Sequence, residues 1–135
     1  MTVSEQLPSS EKFFELFETT GWNTKYELSK DELYLGLKNS WYAISVYENE
    51  TLLGFGRIIC DGTVHALILD VIVLPEKQGK GIGRLIMDKL VAKCKHHKIR
   101  DIQLFCAKGK KEFYEKLGFE IRPEDGPGMQ LEKYY

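Results

Sequence analysis

Apolar residues change their spacing several times along the chain, and each change marks a predicted element. Phe13, Leu16 and Phe17 recur at helical spacing behind a hydroxyl N-cap at Ser9 or Ser10, so a helix should run from there to about Gly21. Ser29 and Glu32 have capping-box spacing ahead of Leu33, Leu35 and Leu37, which predicts a second helix ending near Asn39, with residues 22–28 as the connection. The period then falls to two. Residues 41–48 and 52–60 are rich in β-branched and aromatic side chains around the turn Asn49-Glu50 and read as a hairpin. Asp61-Gly62 is a strong hairpin signal, so the strand of residues 64–74 should pair with the one before it. Residues 66–74 are almost continuously apolar, which predicts burial on both faces of the sheet.

Beyond Pro75 a glycine-rich segment leads into a helix reaching about His97, with Ile82, Leu85, Ile86, Leu90 and Cys94 on one face. A strand at 99–106, a short helix at 110–117 closed by Gly118, and two short strands near 119–122 and 129–133 complete the order. Two helices, three strands, then alternating helices and strands predict an α/β fold with a mixed sheet and helices packed on it. No repeat or long linker divides the 135 residues, so one domain over 1–135 is expected.

Composition narrows the function classes. The net charge is −1, which argues against a polyanion coat protein, and no nucleic-acid partner is expected. The charges are nevertheless segregated. Residues 1–50 carry −5 and 51–76 carry −2, whereas residues 77–100 carry +7 and 101–135 carry −1. Cys60, Cys94 and Cys106 lie far apart in apolar runs and read as small buried hydrophobes in a reducing compartment. They show no Cys/His ligand spacing, so no metal is expected. The first residues lack a signal-peptide pattern and no apolar run reaches membrane-spanning length, which predicts a cytoplasmic protein without a membrane partner.

The segment Gln78-Gly79-Lys80-Gly81-Ile82-Gly83 follows a buried strand and opens a helix, the arrangement that presents unpaired helix N–H groups to phosphate. Arg84 and Leu85 stand where a Walker A motif needs Lys and Ser or Thr, and Gly79, Gly81 and Gly83 form GxGxG rather than the dinucleotide GxGxxG. The wider pattern from Leu69 to Gly83 resembles the GNAT superfamily of acyl-CoA-dependent N-acyltransferases, whose signature Arg/Gln-x-x-Gly-x-Gly/Ala is matched by Gln78, Gly81 and Gly83. Phe113 to Phe119 (FYEKLGF) and Gly126-Pro127-Gly128-Met129 are similar to further segments of that superfamily, and the likeness covers at least residues 41–133.

The resemblance implies a GNAT-type fold: predominantly antiparallel N-terminal strands, a splayed central strand pair and about four helices. It implies acetyl-CoA as cosubstrate, its pyrophosphate on the amides of Gly79, Lys80, Gly81, Ile82, Gly83 and Arg84, with Lys80 and Arg84 adding charge and Gln78 in the turn. Main-chain groups of Val71, Ile72 and Val73 would pair with the pantetheine, and an N–H among them would polarise the thioester carbonyl. Tyr114 resembles the family's general acid for the leaving thiolate. The base is less determined. Asp70, the one acid in residues 64–74, is a candidate for accepting the amine's proton and equally for partnering Arg57; His65 is a weaker candidate, and solvent another. Trp22, Tyr26, Trp41 and Tyr42 are candidates for an aromatic acceptor wall, weighed against a core role. The implied reaction is acetyl transfer to a primary amine by direct attack. The alternatives are a non-catalytic CoA-binding sensor or interaction domain and a protein or peptide acetyltransferase. A homodimer is left open by the C-terminal strands.

Overall fold

The computed structural model describes residues Met1–Tyr135, which fall into two compact units, Met1–Phe105 and Cys106–Tyr135. The first unit is built on one five-stranded sheet in sequence order, β1 (Thr2–Ser4), β2 (Tyr42–Glu48), β3 (Thr51–Cys60), β4 (His65–Val73) and β5 (Asp101–Leu104). The first three pairings are antiparallel and β4–β5 is parallel, as a mixed sheet with a helical crossover requires. The sequence missed β1, because three exposed residues with Val3 as their one apolar side chain carry no period.

Helices α1 (Ser10–Glu18) and α3 (Lys30–Leu37) begin where their caps predict: Ser9 accepts from the Lys12 amide, and Ser29 and Glu32 bond reciprocally. The connection between them holds a single-turn helix, α2 (Asn23–Tyr26), that lacks an apolar stripe. Its loop is closed by Asn23, whose amide side chain accepts from the Leu28 N–H and donates to the Leu28 carbonyl. Phe13, Leu16 and Phe17 of α1 and Leu37 of α3 pack on Phe55, Ala43, Leu52 and Ile72 of the sheet, with Phe13 edge-on to Phe55 at 4.9 Å. Each such buried side chain contributes about 1.5–3 kcal/mol.

The other face receives α4 (Ile82–His96), whose buried stripe is Ile82, Ile86, Met87, Leu90 and Cys94. The helix sits so close to β3 that a Cβ on Gly56 would lie 2.6 Å from Ile86 Cγ2, so a glycine is what admits it.

Two strand expectations need correction. The Asp61-Gly62 turn is not a two-residue hairpin: residues 61–64 form a longer loop in which Asp61 Oδ1 accepts from the amides of Thr63, Val64 and His65 at 2.9, 2.8 and 3.1 Å. Those amide bonds, that of Thr63 first, hold its carboxyl below the ordinary range. Strand β4 is covered on both faces, as expected, with Ile72 beside Phe55 on the α1 side and Ala66 and Ile68 on the other, while Leu67, Leu69, Val71 and Val73 are half-buried. The strands expected at 119–122 and 129–133 do not form; Met129 and Leu131 stand exposed at 90% and 80%. The two would be short segments separated by a stretch holding Pro123 and Pro127, and an isolated hairpin of that size has little to sustain it. The cysteines also divide: Cys94 is buried and its thiol pushed up to about 11 by desolvation, Cys60 is half-buried, and Cys106 is exposed just past the end of β5.

Candidate functional site

Strand β4 holds the most irregular backbone of the sheet. Arg57 on β3 faces Leu69, and Phe55 faces Ile72, so one residue of β3, Gly56, is set against two of β4, Asp70 and Val71. This is a β-bulge, and Asp70 takes it at φ +53°, a left-handed conformation that Asp tolerates better than most side chains. On the opposite edge β4 pairs with β5 only from His65 to Ile68, opposite Asp101 to Leu104. Residues Leu69 to Val73 have no partner there, so the two parallel strands part company as the resemblance implies. Asp70 and Val71 thus have no register partner on either neighbouring strand.

The chain leaves β4 through Leu74 and a 3₁₀ turn at Pro75–Lys77, where the Leu74 N–H donates to the Leu53 carbonyl at 2.9 Å. Gln78 then folds its amide back to donate to the Val73 carbonyl at 3.1 Å, tying the turn to the strand end. Gly79 and Gly81 have φ +76° and +86°, values that glycine alone adopts without cost. Gly81 is the N-cap of α4, and its carbonyl accepts the first helical bond from Leu85 at 3.0 Å. No side chain caps the helix, so the amides of Ile82, Gly83 and Arg84 point out of its start without an internal partner. Lys80 is exposed, and Arg84 has only a long contact, 3.9 Å, to the equally exposed Asp88, an i,i+4 pair of small energetic weight. Val71, Ile72, Val73 and the turn from Gln78 to Arg84 are therefore gathered at one end of β4.

Other candidates lie elsewhere. His65 is at the opposite end of β4, roughly 25 Å along the strand, exposed and 3.2 Å from Asp101. The four aromatic candidates do not form one wall. Trp22 packs edge-on to Phe17 at 5.9 Å, whereas Trp41 and Tyr42 meet α4 through His97 and Lys93. Of the readings for Asp70, the ion pair is the geometry found: Arg57 Nε lies 2.6 Å from Asp70 Oδ2, with the side chains only 13% and 19% exposed. The same guanidinium reaches the Gly36 carbonyl at 3.3 Å and Ser40 Oγ at 3.4 Å.

In the second unit, α5 (Lys111–Lys116) carries Tyr114, buried and in edge contact with Phe113 and Phe119. Desolvation, with a smaller contribution from Cys106, raises its phenol above the ordinary value near 10. The bulge and the Gln78 tie escaped the sequence; an acid placed amid an apolar run was the only trace of the former.

Comparison with known proteins agrees with this architecture. Residues 39–121 match the Acetyltransferase (GNAT) domain family. The chain is 34% identical over 119 residues, 85% of its length and 67% of the relative's, to "Uncharacterized N-acetyltransferase ycf52" of Pyropia yezoensis. It is 35% identical over 125 residues to "Histone acetyltransferase TAP1" of Glycine max, covering 84% of the chain and 53% of that relative. Among solved structures, a probable acetyltransferase from Staphylococcus aureus superposes with a TM-score of 0.83 at 26% identity over 98% of both chains. A GNAT family acetyltransferase from Streptococcus pneumoniae gives 0.82 at 25% identity, over 99% and 98%. The chain spans about two thirds of one curated relative and about half of the other. A five-stranded sheet with a bulged, open-edged fourth strand running into an uncapped glycine turn, matched over most of its length by these proteins, belongs to the GNAT acetyltransferase family.

Proposed function

We propose that the chain transfers an acetyl group from acetyl-CoA to a primary amine by direct attack in a ternary complex. The observation that carries this reading is the junction of β4 and α4, where a strand edge without a partner runs directly into an uncapped helix start. The fit to acetyl-CoA is chemical. The amides from Gly79 to Arg84 suit a pyrophosphate, Lys80 and Arg84 offer countercharge, and the open edge of Val71 to Val73 suits the pantetheine amides as an added strand would. Gln78 keeps the turn in place by its bond to Val73.

The amine nitrogen attacks the thioester carbon, and the Val71 N–H, at the bulge, receives the developing oxyanion. The C–S bond then breaks and the thiolate takes a proton from Tyr114, while the attacking nitrogen gives its proton to solvent. The Tyr114 phenol, its ordinary value near 10 raised further by burial, is protonated throughout the neutral range, as an acid must be.

The acceptor is an amine of either small-molecule or peptide origin. Relatives are named for both kinds, "Histone acetyltransferase TAP1" of Glycine max and "Serotonin N-acetyltransferase 2, chloroplastic" of Oryza sativa. No helix is long and apolar enough to cross a membrane, and relatives named chloroplastic set a plastid beside the cytoplasm as the compartment to be tested by fractionation. The test of function is acetyl-CoA turnover across a panel of arylalkylamines, polyamines, amino sugars and lysine peptides. Thiol release that depends on one class of amine is expected. CoA binding with no thiol release on any class would overturn the enzyme and leave a CoA-binding module.

A further inference from the structure

The ion pair between Arg57 and Asp70 sits where the sheet departs from regular pairing. Asp70 is the one non-glycine residue within a strand that adopts a left-handed backbone. Its side chain reaches back across the register slip to the strand that the bulge has escaped, to the guanidinium of the residue flanking the slip. Both side chains are largely buried, so the pair is little screened by solvent and each charge depends on the other. Arg57 Nη1 donates to the Gly36 carbonyl and to Ser40 Oγ, which anchors the guanidinium to the end of α3 and the residues after it. A carboxylate tied to the neighbouring strand in this way is well placed to fix the backbone that carries it.

We propose that Arg57 and Asp70 are positioning residues, their ion pair locking the left-handed turn of the β4 bulge and thereby aiming the Val71 N–H at the acyl carbonyl. This rests on the acetyl-transfer reading above. It assigns the acid in the apolar run a mechanical role, and brings in Arg57, which has no other part in the chemistry. The bulge also leaves Val71 beside Gly56, whose missing side chain lets α4 close on the same stretch of β3. The amide is therefore held from the Asp70 side by the ion pair and from the other face by packing.

Three variants separate this from a base. Asp70→Asn keeps an acceptor for Arg57 and a residue tolerant of the left-handed region, but removes the proton acceptor. Asp70→Ala removes the clamp as well, and Arg57→Met removes the clamp while freeing the carboxylate. A positioning pair gives a loss in kcat of less than about tenfold for Asp70→Asn and of about 10²-fold for Asp70→Ala and Arg57→Met, the scale of an ångström-sized misplacement, with CoA affinity by calorimetry nearly unchanged. If Asp70→Asn loses as much as Asp70→Ala while Arg57→Met keeps its rate, the carboxylate acts as a base and the proposal fails. If all three turn over normally, it fails as well.

A readout independent of turnover is the Val71 amide in ¹H–¹⁵N spectra. Its cross-peak should shift or broaden in Arg57→Met and Asp70→Ala but stay close to its original position in Asp70→Asn. An unmoved Val71 peak in a folded Arg57→Met protein would overturn the clamp even if no acceptor amine is ever found. Conversely, a moved peak in a chain that turns over nothing would sink the acetyl-transfer reading alone. Should Arg57→Met fail to fold, the Asp70→Asn and Asp70→Ala comparison carries the decision.

Discussion

A phenol and a carboxylate, each among apolar neighbours, meet different fates in this chain. Tyr114 is desolvated and its phenol raised, so it keeps its proton in the range where the acid proposed for a thiolate leaving group would have to be protonated. Tyr114→Phe should lower kcat by about 10²-fold or more with CoA affinity retained; equal turnover in the variant would remove its role. An acid must be protonated to act, so the wild-type rate should persist through pH 10 and fall only as pH passes the raised value. The stability linkage has the same sign. Because the folded pKa exceeds the unfolded one, the contribution of Tyr114 is fully present below about 10 and is lost as pH rises toward the folded value. Urea midpoints measured from neutral to alkaline pH in wild type and Tyr114→Phe should diverge in that window. Asp70 is instead met by Arg57, whose Nε lies 2.6 Å from its Oδ2. At this scale the sequence singled out Asp70 without deciding between its two readings, since Arg57 is thirteen positions away and only the register of β3 on β4 brings them together.

At the level of elements, the caps and the periods were legible and the irregularities were not. Ser9, Ser29 with Glu32, and the change of period at Trp41 located helices and strands to within a residue or two, because each acts over one turn or one strand. A bulge has no hydrophobic signature: it inserts a residue without breaking the apolar run. Two substitutions test elements directly. Gly56→Ala places a methyl 2.6 Å from Ile86 and should cost about 1–3 kcal/mol in chemical unfolding; unchanged stability would mean that α4 does not sit as close to β3 as described. Gly81→Glu combines a side chain at φ +86° with a negative charge at the helix start, and should weaken CoA binding measured by calorimetry by tenfold or more, about 1.4 kcal/mol or above. Unaltered affinity would move the phosphate site elsewhere.

Over the whole chain a net charge of −1 conceals a +7 stretch at residues 77–100 and acidic stretches before it. The structure locates the start of that stretch at the uncapped turn and the rest along α4, whose last turn carries Lys93, Lys95 and His96, the sign that suits a helix C-terminus. Lys93 is further engaged, 4.8 Å above the ring of Tyr42. Under the proposed function, the positive charge set at the strand end for an anionic cosubstrate is that of Lys80 and Arg84. The KM for acetyl-CoA should rise as ionic strength goes from about 0.01 to about 1 M, where the screening length falls from about 30 to about 3 Å. A flat profile would leave recognition to the amides alone.

The most direct test of acetyl transfer is a mass balance on the purified chain with acetyl-CoA and the amine panel. Free CoA thiol and acetylated amine should appear in equal amounts, with no acetyl group left on the protein. CoA bound stoichiometrically with neither product formed, or an acetylated protein formed ahead of any acetylated amine, would contradict direct transfer to an amine.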